Sequence, residues 1–233
     1  MKYQRRLYRC NMEIKIQGIQ KKYGKKEVLK GIDFTVSSGK CVGVLGGNGC
    51  GKSTLLSILA GIQPADAGEF ICDGKNLFAS PKDRSRLVGY IPQGTPLIEE
   101  LTAKDNLSLW YSKEAMQTEL NDGVLKMLGI DEFLNVVVSK MSGGMKKRLS
   151  IGCAVANKPK ILLLDEAMAA LDISCKQRIF EYVKKHVAEG GICLLVTHDV
   201  MELDLCDEMY IIKNGKATPF IYEGDPELLI RSF

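Results

Sequence analysis

The sequence predicts an α/β fold with a mainly parallel sheet. Three observations carry this. Cys41-Val42-Gly43-Val44-Leu45 is a short apolar run that turns through closely spaced glycines into Lys52-Ser53-Thr54 and the apolar stretch Leu55–Leu59. Ile161-Leu162-Leu163-Leu164 is apolar at every position, as a strand buried on both faces of a parallel sheet requires. Elsewhere strand-like and helix-like periods alternate, the pattern of an α/β chain rather than an all-α or all-β one.

Taken in order, residues 1–11 are basic and aromatic without a period and read as an extension. Met12 opens Glu13-Ile14-Lys15-Ile16-Gln17, which alternates like a strand with one buried face. A polar turn is expected over Lys21–Lys26. Val28-Leu29 and Ile32–Val36 then give a β-rich stretch closed by Ser38-Gly39 before the glycine-loop strand. Gly61 and Pro64 end the first helix. Glu69–Cys72 reads as a strand into a turn at Asp73-Gly74, and Leu87–Ile91 as a buried strand running into Pro92-Gln93.

From Thr102 to Gly129 the period is helical, with Leu107, Trp110 and Tyr111 sharing one face and Val124, Leu125 and Leu128 another. Met145–Asn157 is helical again, with Leu149, Gly152, Cys153 and Ala156 inward. A strand follows at Ile161–Asp165, a helix at Ile173–Ala188, a strand at Ile192–Val196 and a short helix at Val200–Leu205. Met209–Ile212 and Ala217–Ile221 flank Lys213-Asn214-Gly215-Lys216, an Asn-Gly hairpin signal. Asp225-Pro226-Glu227 is the N-cap and first-turn proline of a last helix.

Bulk properties set limits. At 233 residues the chain fits one sizeable α/β domain. A net charge of +4 is mild, and Lys146-Lys147-Arg148 reads as a solvated cluster rather than a nucleic-acid groove. The 8 cysteines form no C-x-x-C pair, and several (Cys41, Cys72, Cys153, Cys193) sit in apolar runs as small buried hydrophobes. A reducing, cytosolic setting is expected. No apolar run approaches the ~18 residues of a membrane span.

The chemistry lies in the motifs. Gly46, Asn48, Gly49, Cys50, Gly51, Lys52, Ser53 and Thr54 fall within G-x-x-x-x-G-K-[ST] and its continuation. Its glycines let backbone N–H groups turn onto a phosphate, and the helix N-terminus adds its partial positive charge. Cys50 is a small side chain whose oxidation would block that cradle. Past the apolar strand, Asp165 is placed to share Mg²⁺ with Ser53, and Glu166 is the natural base for an attacking water.

Gly46–Thr54, Gln93, Ser142-Gly143-Gly144, Leu164-Asp165-Glu166, Ala170-Leu171-Asp172 and Thr197-His198-Asp199 stand in the order and spacing of the ATP-binding-cassette (ABC) ATPases, and the chain from ~12 to ~230 resembles them. The resemblance implies a P-loop NTPase core with a mainly parallel sheet, an N-terminal antiparallel β subdomain and a helical subdomain inserted at about 94–157. Residues 12–233 then form a single domain. It implies ATP and Mg²⁺ as ligands, with Lys52 on the β- and γ-phosphates and Ser53, Gln93 and Asp165 around the metal. Tyr23 would stack on adenine, Glu166 and His198 would act on the γ-phosphate, and Gln93 would contact the attacking water. Ser142, Gly143 and Gly144 would close on nucleotide held by a second protomer, with Asp172 spanning the pair.

Two departures stand out: Met145 where the family's signature usually has glutamine, and Ala167 where proline usually follows the glutamate. Hydrolysis is expected to survive, with the signature contact most exposed to change. The resemblance implies an ATPase subunit working as a homo- or heterodimer at the cytoplasmic face, on transmembrane permease subunits in separate chains docked around Leu101, Asn106, Leu107 and Trp110. The short stretch after the last strands tilts the expectation to export, and no nucleic acid is expected. The other reading is a soluble ABC-type ATPase acting on nucleic acid or ribosomes. It lacks both the long coiled coil and the tandem cassette such members carry. A phosphate-loop kinase leaves Ser142–Gly144 and His198 unexplained.

Overall fold

Two sheets share the chain, and the parallel one sets the site. In this computed structural model, residues 12–169, 171–225, 227, 229 and 231 are described. The expected extension at 1–11, Ala170 and Pro226 lie outside them. Strands β1 (Glu13–Tyr23) and β2 (Lys26–Ser37) form a long hairpin. The polar turn is therefore tighter than Lys21–Lys26, because Lys21 is in the strand, where its ammonium bonds Pro64 O and Asp66. β3 (Lys40–Leu45) leads to α1 (Lys52–Ala60). β4 (Ala67–Cys72) and the two-residue β5 (Lys75–Asn76) complete an antiparallel sheet of order β2-β1-β4-β5. Helix α2 (Pro81–Leu87), with Pro at its start, had no apolar period to reveal it and buries no residue.

β6 (Val88–Ile91) is followed by helices α3 (Ala103–Ser108), α4 (Lys113–Asp122), α5 (Val124–Met127) and α6 (Gly143–Ala154). Then come β7 (Ile161–Asp165), α7 (Ile173–Ala188), β8 (Ile192–Val196), α8 (Val200–Leu203), β9 (Glu208–Lys213) and β10 (Lys216–Phe220). The second sheet runs β10-β9-β3-β8-β7-β6, parallel except for the β9/β10 hairpin. That hairpin turns through Asn214 and Gly215, both at positive φ (54° and 79°), the geometry an Asn-Gly turn supplies. Asp225 accepts from Glu227 N at 2.8 Å, and residues 227, 229 and 231 are helical.

Both faces of the parallel sheet are covered, which is why its strands are apolar throughout. Leu162, Leu164, Cys193 and Leu195 face the core shared with α6 and α7. Ile161, Leu163, Ile192, Leu194 and Val196 face α1 and the antiparallel sheet. Leu55, Leu56, Ile58 and Leu59 of α1 are all 0% exposed, each contributing about 1.5–3 kcal/mol of gross burial.

Three expectations are corrected here. Trp110 does not share the face of Leu107: α3 ends at Ser108, so the helical period stops and Trp110 is left 58% exposed. Asn106 and Leu107 are core rather than surface. The Lys146–Arg148 run is not a solvated cluster. Lys146 pairs with Glu99, the Arg148 guanidinium stands 4.9 Å from the Phe133 ring centroid, and Lys147 is 5% exposed.

Asn106 explains its own burial. Its Oδ1 accepts from Ile98 N (2.9 Å), and its Nδ2 donates to Ile98 O and Thr102 O (both 3.1 Å). Asn106→Ala would leave the part-buried Ile98 N–H without its partner, while Ile98 O keeps Leu101 N and Thr102 O keeps Asn106 N, and should cost about 1–3 kcal/mol. Urea unfolding at unchanged m-value checks this, and an unmoved midpoint would show the amide to be dispensable.

Candidate functional site

Four parallel strands end at one edge of the sheet, and the loop after each delivers a polar group to that edge. β3 delivers the loop Gly46–Gly51, β6 delivers Gln93, β7 ends on Asp165 with Glu166 next, and β8 leads to Thr197-His198. Ligands of open α/β sheets bind there. The in-register pairing of Asp165 with Val196, and Glu166 N donating to Val196 O at 3.0 Å, hold the last two loops level.

The phosphate loop is built without side-chain capping. Gly51 is the N-cap of α1 in a left-handed conformation, no side chain bonds the helix's first N–H groups, and no acid lies in its first turn. An anion is the natural partner of such an end. Lys52 is 5% exposed, and its Nζ donates to Gly46 O (2.7 Å) and Gly47 O (3.1 Å). Asn48 and Gly49 form the exposed crown, Cys50 is half-buried beneath it, and Thr54 follows into the helix.

Around this loop the acids are held separately. Ser53 Oγ donates to Asp165 Oδ1 (2.9 Å) and Tyr90 Oη to Asp165 Oδ2 (3.2 Å). Burial, helped by the Glu166 charge, holds the Asp165 carboxyl above its ordinary value even against those two hydrogen bonds and Lys52. Ser53 and Asp165 are hard oxygen donors side by side. They suit Mg²⁺, which keeps waters and phosphate oxygens for its other positions and so needs few protein ligands. Among the described residues no group of three or more His, Cys, Asp or Glu forms a protein-only metal site.

Glu166 sits at φ 46°, a left-handed conformation uncommon for a residue with a Cβ, and this points its carboxylate into the cleft. There Oε2 accepts from Gln93 Nε2 (3.0 Å) and Oε1 stands 3.4 Å from His198 Nε2. Desolvation, and after it the Lys52 charge, lower the His198 pKa against the pull of Glu166. Thus Lys52, Ser53, Gln93, Asp165, Glu166 and His198 come together. The His198 loop is braced from behind: Lys176 of α7 pairs with Asp199 and stands 3.7 Å from Glu202, which is 1% exposed.

The other expected residues lie elsewhere. Ser142 is the N-cap of α6, its Oγ accepting from Met145 N at 3.2 Å, and Ser142 and Gly143 are exposed. Gly144 faces Asp172: a Cβ placed on it would lie 3.6 Å from Asp172 Oδ2, and Cys175 Sγ donates to Gly144 O at 3.6 Å. Asp172 in turn caps α7. Tyr23 ends β1 with 49% exposure, its hydroxyl 2.5 Å from Gln63 Oε1, and Gln63 Nε2 reaches Ser57 of α1.

Of the two departures, Met145 packs its thioether chain against the core of the helical segment, and Ala167 is fully buried in the turn after Glu166.

Two residues of the site had no sequence signal. Tyr90 reads as an ordinary strand aromatic. Lys147 is hidden in a basic run. Its Nζ donates to Pro92 O (2.8 Å), Gln93 O (2.9 Å) and Gly94 O (3.1 Å). Burial lowers its pKa to about 8 against the pull of Asp165, which leaves it mainly protonated at neutral pH.

Comparison with known proteins shows the family. The family model described as "ABC transporter" matches residues 29–169. A Nod factor export ATP-binding protein I of Sinorhizobium fredii is 34% identical over 227 residues, covering 95% of this chain and 65% of that protein. The linearmycin resistance ATP-binding protein LnrL of Bacillus subtilis is 33% identical over 210 residues, covering 87% of this chain and 67% of that one. A dimeric ATP-binding cassette solved in a post-hydrolysis state with ADP and Pi superposes with a TM-score of 0.79 at 27% identity, covering 91% of this chain and all of that one. A nucleotide-free cassette from an ABC transporter gives 0.78 at 25% identity, covering 95% and 94%. Among the described residues no helix is long and apolar enough to cross a membrane. The chain belongs to the ABC transporter family, as an ATP-binding ATPase subunit.

Proposed function

We propose that two copies of this chain, or this chain and a similar one, enclose ATP between the phosphate loop of one and Ser142–Gly144 of the other, and that hydrolysis drives export through separate membrane subunits. One observation carries it: the chemistry converges at the strand edge while the signature stands exposed beside Asp172 at the start of α6. Each half of an anion site is thus presented for a partner's half. The names of the relatives, Nod factor export and linearmycin resistance, support export over import. The exposed Ile98, Leu109 and Trp110 around α3 supply an apolar surface for membrane subunits, and the assembly then works peripherally at the cytoplasmic face.

In this reading Lys52 exchanges its contacts with the Gly46 and Gly47 carbonyls for β- and γ-phosphate oxygens. Ser53 and Asp165, with Gln93, would hold Mg²⁺, and the ion would supply positive charge to offset that of the phosphates. Glu166 accepts the proton of the attacking water. Gln93 orients that water, and His198 hydrogen-bonds the γ-phosphate. Tyr23, 49% exposed, stacks on adenine, and Asp172 joins the two protomers.

Glu166→Gln with ATP and Mg²⁺ should elute from a sizing column as a dimer, because the closed state forms and is not discharged. Monomeric elution across all ATP concentrations would overturn the sandwich.

A further inference from the structure

Lys147 lies five residues past the signature serine, on the second turn of α6, and is buried although both its sequence neighbours are basic. Its ammonium meets three consecutive carbonyls, those of Pro92, Gln93 and Gly94, at 2.8, 2.9 and 3.1 Å. An ammonium has three hydrogens and no acceptor, so each carbonyl takes one and the socket is filled. A guanidinium is planar and presents its donors as a fork, so it cannot reproduce a three-fold convergence. Three successive carbonyls turned onto one cation also fix the backbone of the segment that carries Gln93. That side chain reaches Glu166 Oε2 at 3.0 Å.

The same helix begins at Ser142, which caps it. Between Ser142 and Lys147 there are only helical residues, spanning ~7–8 Å at 1.5 Å per residue. A short rigid rod therefore has the exposed signature at one end and the Gln93 segment clamped near the other.

We propose that Lys147 is a positioning residue for ATP hydrolysis: it clamps the Gln93 segment to the signature helix, so that engagement of Ser142–Gly144 sets Gln93 against Glu166. This rests on the roles proposed above for Gln93 and the signature. The packed contact gives the coupling a physical route, a rigid element whose displacement both ends share.

The test is a double-mutant cycle in steady-state ATPase activity of the whole chain, using Lys147→Met, Gln93→Ala and the pair, with nucleotide affinity measured by a fluorescent ATP analogue. Lys147→Met is expected to lower kcat about tenfold, within the usual range for coupled positions, while affinity changes by less than about twofold. Combined with Gln93→Ala it should add little, because both act through one segment. Lys147→Arg should recover only part of the loss. A wild-type kcat in Lys147→Met alongside a slowed Gln93→Ala would overturn the lysine's role alone. Wild-type turnover in Gln93→Ala would overturn the Gln93 reading and this route with it. Full additivity, or a loss confined to KM, would reduce Lys147 to a structural pin and sink the proposal. If Lys147→Met does not fold, Lys147→Gln carries the same comparison.

Discussion

Replacing Glu166 with glutamine is expected to cut ATP turnover ~10²–10⁴-fold, the usual worth of a general base, while nucleotide binding stays intact. The geometry makes this substitution a clean one. Glutamine has the same length and the same Cβ, so it meets no new strain at φ 46°. Its amide oxygen still accepts from Gln93 Nε2, which donates to Glu166 at 3.0 Å. What is lost is the proton acceptor. Phosphate release measured at saturating ATP reads the effect, and unchanged turnover would remove Glu166 from the role. Lys52 and the helix N-terminus, to which the proposal assigns the phosphates, are untouched, so affinity and rate should separate.

Gly46→Ala is expected to cost about 2–6 kcal/mol of stability, summing backbone strain and overpacking. Gly46 has φ 143°, and a Cβ there would lie 2.5 Å from Ile212 O and 2.7 Å from Cys50 Sγ. The carbonyl belongs to β9 and cannot yield without disturbing its pairing with β3 and β10. Total stabilities of ~5–15 kcal/mol make such a loss severe. Gly49→Ala is the control: Gly49 also has positive φ (73°), but nothing lies within 4 Å of its Cβ position. It should lose only the left-handed penalty of ~1–2 kcal/mol. Thermal or urea unfolding of both variants checks the difference, and equal losses would mean that the close approach to Ile212 contributes nothing.

The brace behind His198 and the clamp behind Gln93 have a common form. In each, a lysine on a helix reaches back to the loop carrying a cleft side chain: Lys176 to Asp199, and Lys147 to Pro92–Gly94. Those helices are capped by Asp172 and Ser142, which the proposal places at the junction of the two protomers and at the partner's nucleotide respectively. In the proposed dimer each half of the site would then be tied to the other within one chain.

Most of the fold was legible because parallel strands buried on both faces must be apolar throughout, as Ile161–Leu164 and Ile192–Val196 are. The hairpin at Asn214-Gly215 was legible because few residues tolerate its positive φ angles. The phosphate-loop pattern picked out Gly46–Thr54 and the buried strand's end picked out Asp165 and Glu166, while Gln93 and His198 were named through the resemblance, and the structure brings Lys52, Ser53, Gln93, Asp165, Glu166 and His198 to one edge of the sheet. Helix α2 escaped because it buries nothing and so has no period. Trp110 was misplaced because periodicity says nothing about where a helix stops.

By itself, then, the sequence determined the local chemistry: a glycine loop that bends onto phosphate, strands that must be buried, and acids at a strand's end. Only the tertiary structure decided which charges are buried and what holds them. Lys146 and Lys147 are identical in composition and adjacent in sequence, yet one pairs with Glu99 at the surface and the other fills a socket of three carbonyls. The physical reason is that burial of a charge depends on acceptors brought up by a distant segment, here some 50 residues away (|i−j| of 53 to 55). No local pattern encodes that approach; the packing of α6 against β6, the edge strand of the parallel sheet, does.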